Sequence, residues 1–166
     1  MNTELAAELA RMADEDQRVR RALPSDASSP SAFDWPRAME MARVDVENTD
    51  RLREIVDEHG WPGRSLVGEE GAEHAWLLAQ HASTRLDFQR RVLDLLTAAV
   101  AAGEATPRQL AYLTDRVRMS EGKNQIYGTQ YIRDEHDHRV PYPIEDGVHV
   151  DARRAGVGLA PLGECP

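Results

Sequence analysis

The chain has 166 residues, of which 41% are hydrophobic and 30% charged, with a formal net charge of −9. That is the length of one globular domain with a sizeable core, and its acidic excess argues against nucleic acid and anionic membrane surfaces as partners. No apolar run approaches the roughly 18 residues of a membrane span, Met1-Asn2-Thr3-Glu4 does not open a secretory leader, and the lone Cys165 permits no internal disulfide, so a cytoplasmic location is expected.

The apolar spacing of Leu5, Leu9, Met12, Val19 and Leu23 predicts an amphipathic helix from Thr3 to about Leu23, with Thr3 as its cap. The turn-rich stretch 24–31 reads as a linker. A second helical region covers Phe33 to His59, with a break expected near Val44 and a firm stop at Gly60-Trp61-Pro62-Gly63. Ser65 to Ala82 holds a short, almost wholly apolar helix at Ala72–Ala79, which belongs in the middle of a fold. Ser83 to Ala102 forms the next helix, ended by Gly103. Thr106-Pro107 then opens another, with cap and first-turn proline in their preferred places, running to about Ser120.

Beyond Ser120 the texture changes. Gln125–Ile132 and Val140–Ile144 carry Ile, Tyr, Thr and Val without a helical period, separated by a charged stretch, and predict a β-hairpin. Asp151 is placed to cap a last short helix ending at Gly156 or Gly158. The expected architecture is mainly α: a single domain over residues 1–166, a bundle of about six helices with a small β-hairpin near the C-terminus.

Several polar residues stand where that pattern wants apolar ones. The spacing of the first helix asks for an apolar residue at position 16 and finds Asp16; Asn48 falls on the stripe of Val44, Leu52 and Ile55. Gln80 and His81 close the apolar central helix, and Asp115 flanks the stripe of Leu110, Leu113 and Val117. A buried polar group without a partner costs about 1–3 kcal/mol, so such groups in separate segments suggest one internal polar site. Each has an ordinary structural alternative. Asp16 pairs as readily with an arginine, Asn48 ties helices together, and a histidine in a last helical turn sits where the helix dipole favours a cation.

Asp14-Glu15-Asp16-Gln17, Asn48, His59-Gly60-Trp61-Pro62, Leu66-Val67-Gly68, Gln80-His81-Ala82, Phe88-Gln89 and Leu113-Thr114-Asp115-Arg116 are the segments that carry a family resemblance. With them go Gln125, Tyr127-Gly128-Thr129-Gln130, Pro143-Ile144-Glu145-Asp146, Arg153-Arg154 and Val157-Gly158-Leu159. Over nearly its whole length the chain resembles a bacterial family catalogued as domain of unknown function 6624. The resemblance implies no general activity; it marks the signature positions as those to examine, and leaves 133–139 as a variable polar loop outside any signature.

The chemistry these residues support is acid–base catalysis with His81 as the proton-transfer group. Asp115 is the first expectation for the carboxylate that orients its ring, and Asp16 the second. Tyr127 supplies a proton or stabilises an oxyanion, and Asp16, Asn48, Gln80, Gln125 and Gln130 hold polar groups of a substrate. Arg116 binds a substrate carboxylate in bidentate fashion, or neutralises Asp16 or Asp115. A Schiff base has one candidate, Lys123, since the other 19 basic residues are arginines, and it lies beside Gly122 in an expected turn. No Gly-x-Ser-x-Gly elbow and no phosphate-binding loop occur. His136-Asp137-His138 offers two imidazoles on one face of an extended segment, but a charged hairpin tip is the commoner source of that spacing, and no metal is expected.

The expected function is a small, cytoplasmic, cofactor-free enzyme acting on a polar small molecule by hydrolysis, elimination, cyclisation or isomerisation. The alternative is a non-catalytic module that binds a small molecule or partner through the same polar pocket. A purely structural role for the polar groups is the third reading.

Overall fold

The computed structural model describes residues 1–21 and 35–164. The expected linker 24–31, the ends of the first two predicted helices at Leu23 and Phe33, and Cys165 lie outside them. The fold is mainly α, as expected: six α-helices and one two-stranded antiparallel hairpin among the described residues. Its contacts divide the chain into two compact units, Met1–Phe88 and Gln89–Pro166, with the boundary in the first turn of the fourth helix.

The first unit is built from α1 (Thr3–Arg21), α2 (Trp35–His59) and α3 (Arg64–His81), each packed against the other two. Helix α1 buries Leu5, Leu9, Ala13 and Val19 along one stripe, α2 buries Val44, Leu52, Ile55 and Val56, and α3 buries Val67, Ala72, Ala75, Leu78 and Ala79. Each fully buried Leu, Val or Ile contributes about 1.5–3 kcal/mol, so these stripes set the helix faces. The cap of α1 is Asn2 rather than Thr3: Asn2 Oδ1 accepts the Leu5 N–H at 3.0 Å, and Thr3 is already the first helical residue. Helix α2 runs without the break expected near Val44, because an interrupted apolar stripe is not an interrupted backbone. The unexpected break is in α3, where Gly68 adopts φ 79°, ψ 173° and kinks the helix. That conformation is open essentially only to glycine.

The second unit contains most of α4 (Leu86–Ala101), α5 (Pro107–Ser120), a hairpin of β1 (Tyr131–Arg133) and β2 (Arg139–Pro141), and α6 (Val150–Gly156). Helix α4 begins three residues later than the sequence suggests. Helix α5 carries the expected start in full: Thr106 Oγ1 accepts the Gln109 N–H at 3.1 Å while Gln109 Oε1 accepts the Thr106 N–H at 2.8 Å. The hairpin pairs Tyr131 with Pro141, Ile132 with Val140 and Arg133 with Arg139, and a parallel bridge joins Gln125 to Ile144. Its tip is organised by Asp134, whose Oδ1 accepts the N–H groups of His136 and His138 at 2.9 and 2.8 Å. Asp151 lies inside α6 and does not cap it; Asp151 Oδ1 instead accepts the Leu162 N–H at 2.7 Å and fastens the chain beyond the helix.

Gly128 is required twice over. Its φ is +69°, and a Cβ there would lie 2.8 Å from Leu162 Cδ1 and 3.1 Å from Ile144 Cδ1. Gly103 shares the positive φ but faces open space. We therefore expect Gly128→Ala to lower unfolding stability by about 2–5 kcal/mol, from backbone strain plus overpacking. Gly103→Ala should cost only the strain, about 1–2 kcal/mol. Urea denaturation midpoints of the two variants check this, and equal losses would contradict it.

Candidate functional site

The polar residues singled out by sequence fall into two clusters, one in each unit. The first surrounds Asp16, whose side chain is 1% exposed on the buried stripe of α1. His81, in the last turn of α3, brings Nδ1 to 2.8 and 2.9 Å from the two carboxylate oxygens of Asp16. Arg20, one turn along α1, places Nε 3.2 Å from both oxygens and 3.0 Å from the same Nδ1, and its Nη2 reaches Asp45 Oδ1 on α2 at 2.5 Å.

The proton positions follow from chemistry. A guanidinium keeps its protons and an ionised carboxylate has none to give. The proton between Nδ1 and Asp16 therefore belongs to the imidazole, Nδ1 is the donor, and Arg20 Nε donates to the carboxylate rather than to the ring. This tautomer leaves Nε2 as the acceptor of the neutral ring. His81 is 19% exposed, and Nε2 makes no hydrogen bond among the described residues.

Burial pushes the carboxyl of Asp16 up. The hydrogen bond and charge of His81, with those of Arg20, more than offset this and hold it below its ordinary value. Asp45 is raised by burial, which outweighs the opposing charge of Arg20; the nearby negative charge of Asp16 adds to the rise. Asn48 is half-buried and donates from Nδ2 to the Met12 carbonyl at 3.3 Å, tying α2 to α1. Gln80, 4% exposed, lies beside His81 in the last turn of α3.

The second cluster surrounds Asp115, fully buried on α5. Its carboxylate accepts the N–H of Ile126 at 2.7 Å, of Tyr127 at 3.1 and 3.2 Å, of Thr129 at 3.0 Å, and the Thr129 hydroxyl at 2.9 Å. Asp115 is thus committed to the loop that follows α5. The carboxylate that contacts the His81 ring is Asp16, the second expectation, not Asp115, the first. Gln125 is equally committed. Its Nε2 donates to the carbonyls of Gln130 and Tyr142 at 3.0 and 2.6 Å, and its Oε1 accepts the Gln130 N–H at 2.9 Å, so the amide substitutes for a strand's peptide group. Gln130 Nε2 donates to Thr129 Oγ1 at 3.0 Å. Tyr127 is half-buried and its hydroxyl makes no hydrogen bond among the described residues, while Arg116 is half-buried on α5.

From the other side, α6 holds the carbonyls of the same loop. Arg153 Nε donates to Ile126 O at 2.9 Å, and the buried Arg154 donates to Tyr127 O at 2.7 Å, Gly128 O at 3.3 Å and Ala160 O at 2.5 Å. Sequence reasoning missed Arg20 and Asp45. The four-residue step from Asp16 to Arg20 was the available signal. At the hairpin tip the His136 and His138 rings lie 6.0 Å apart, and among the described residues no group of three or more His, Cys, Asp or Glu side chains is arranged to hold a metal.

Replacing Asp115 by Asn should cost about 2–4 kcal/mol, because an amide turns donors toward backbone donors that the carboxylate satisfied. Circular dichroism melts and amide exchange at residues 126–129 read this directly; an unchanged melt would contradict the staple. The lowered carboxyl of Asp16 stabilises the fold above its ordinary value of 3.8, and that stabilisation is lost as pH falls through the lower, folded-state value. We expect Asp16→Asn to be less stable than the parent at neutral pH. The gap should narrow only below about pH 4, as urea midpoints taken across pH would show.

No curated protein and no solved structure matches the chain. A family model does, over residues 3–165: the family of unknown function DUF6624. Its match covers nearly the whole sequence, including both clusters. The chain belongs to this family.

Proposed function

We propose that the chain is a small, cofactor-free enzyme of the cytoplasm that acts on a polar small molecule by acid–base chemistry centred on His81. One observation carries the reading: a carboxylate 1% exposed accepts the Nδ1 proton of a partly exposed histidine and leaves Nε2 unengaged among the described residues. In this role Asp16 fixes the ring's tautomer and orientation and compensates the imidazolium that forms when Nε2 takes a proton from water or a substrate hydroxyl. The same nitrogen then returns the proton to the leaving atom. Asp16 is held ionised by Arg20 and by His81 itself, which suits it to that compensation. Gln80, adjacent to His81 in α3, and Asn48, bonded to the Met12 carbonyl one turn before Asp16, are the substrate-binding candidates in this unit. Asp115, Gln125 and Gln130 are not assigned chemical roles, because their polar atoms hold the loop of the second unit.

The purely structural role of the polar groups draws on a different observation. Arg20 bridges Asp16 and Asp45, so the histidine belongs to a four-membered charge network of the kind that also fixes helices together. No described helix is long and apolar enough to cross a membrane.

The deciding experiment screens the purified protein against p-nitrophenyl esters, p-nitroanilides and lactones, alongside folded His81→Gln and His81→Ala variants. The proposal expects turnover in at least one class, a loss of about 10²–10⁴-fold on substitution, and partial recovery of His81→Ala by added imidazole. Turnover that survives both substitutions would remove His81 from the chemistry. A melting temperature that falls on substitution, with no turnover in any class, favours the purely structural role.

A further inference from the structure

A cleft of about 380 Å³ lies wholly within the second unit and is lined by Arg108, Tyr112, Gly128, Thr129, Tyr131, Arg139 and Arg154. Three of the seven lining residues are arginines and none of these described residues is acidic, in a chain with 29 acidic against 20 basic residues. The guanidinium of Arg139 stacks over the Tyr131 ring at 4.2 Å from its centroid, and that of Arg108 over Tyr112 at 5.8 Å. Stacking engages the flat face of a guanidinium and restrains its long side chain, whereas pairing with an oxyanion uses the N–H edge in the plane. The two interactions are compatible, and the first lowers the ordering cost of the second. Arg154 adds a buried positive charge at Gly128, where its Nη1 already holds two loop carbonyls.

We infer that this cleft is a binding site for the oxyanion, carboxylate or phosphate, of a small aromatic or other planar molecule, with Arg108 and Arg139 pairing the anion and Tyr112 and Tyr131 flanking the planar body. The chemistry is shared by the two anion types: a flat or tetrahedral group with two or more oxygens meets guanidinium edges at bidentate spacing. The site stands on its own lining and is independent of the proton-transfer role proposed for His81. Since Thr129 and Gly128 form part of the wall and are held by Asp115 and Arg154, the site's shape is fixed before a ligand arrives. Preorganisation of that kind raises affinity without new contacts.

The test is a titration of the full chain with phenyl phosphate and with benzoate, followed by backbone amide shifts, at constant ionic strength set with sodium chloride. The expected result is saturable shifts at Thr129 and Gly128 with at least one probe. Arg108→Ala combined with Arg139→Ala should weaken binding about tenfold or more, as loss of two bidentate partners implies. Both side chains are exposed, so the folded state survives the substitutions. Stronger response to phenyl phosphate than to benzoate assigns a phosphate ligand, and the reverse a carboxylate. Absence of saturable shifts with either probe, shifts reproduced by chloride alone, or affinity unchanged in the double variant would each overturn the inference.

Discussion

An ionised carboxylate cannot leave water without a shell of donors, and two such groups organise this chain. The cost of desolvating a carboxylate is several kcal/mol even after relaxation, so whatever surrounds Asp16 and Asp115 must be built to match. Around Asp16 the donors are side chains: the imidazole of His81 from α3, and the guanidinium of Arg20 and the amide of Gln17 from α1. Around Asp115 they are peptide groups and one hydroxyl from a single loop. The same requirement therefore produces a side-chain network in one place and a folded loop in the other. The first arrangement leaves an imidazole nitrogen available for chemistry. The second consumes every group it recruits.

The loop between α5 and β1 shows how little regular structure is needed when both sides of the backbone are addressed. Asp115 takes the N–H groups of Ile126, Tyr127 and Thr129, while Arg153 and Arg154 take the carbonyls of Ile126, Tyr127 and Gly128. Gln125 does the same work at the loop's start, matching an amide to the peptide groups of Gln130 and Tyr142. A planar guanidinium with five donors can serve three carbonyls at once, which an ammonium on a flexible stem cannot do with the same geometry. The arginine-rich composition of the chain has a structural use here.

Helices, their stops and the hairpin were legible because periodicity and turn chemistry are local properties: Thr106-Pro107 and Gly60–Gly63 announce themselves without reference to anything distant. The kink at Gly68 was not, since a glycine in a helical stretch carries no mark of the φ it will adopt. Asp16 was legible as a polar residue on an apolar stripe. Arg20 and Asp45 were hidden because each stands where an amphipathic helix is expected to be polar, and only the approach of three helices shows that they meet. Asp115 could be located but not interpreted. Its partners are backbone N–H groups, which every residue has, so no side-chain pattern distinguishes a carboxylate that folds a loop from one that orients a histidine.

Helix α6 has seven residues, Val150–Gly156, too few to persist alone in water. What holds it are the two arginines inserted beneath the preceding loop, and that loop in turn depends on a carboxylate from α5. The order of assembly is thereby constrained: during synthesis the last helix has nothing to grip until the chain some twenty-five residues upstream has already closed around Asp115.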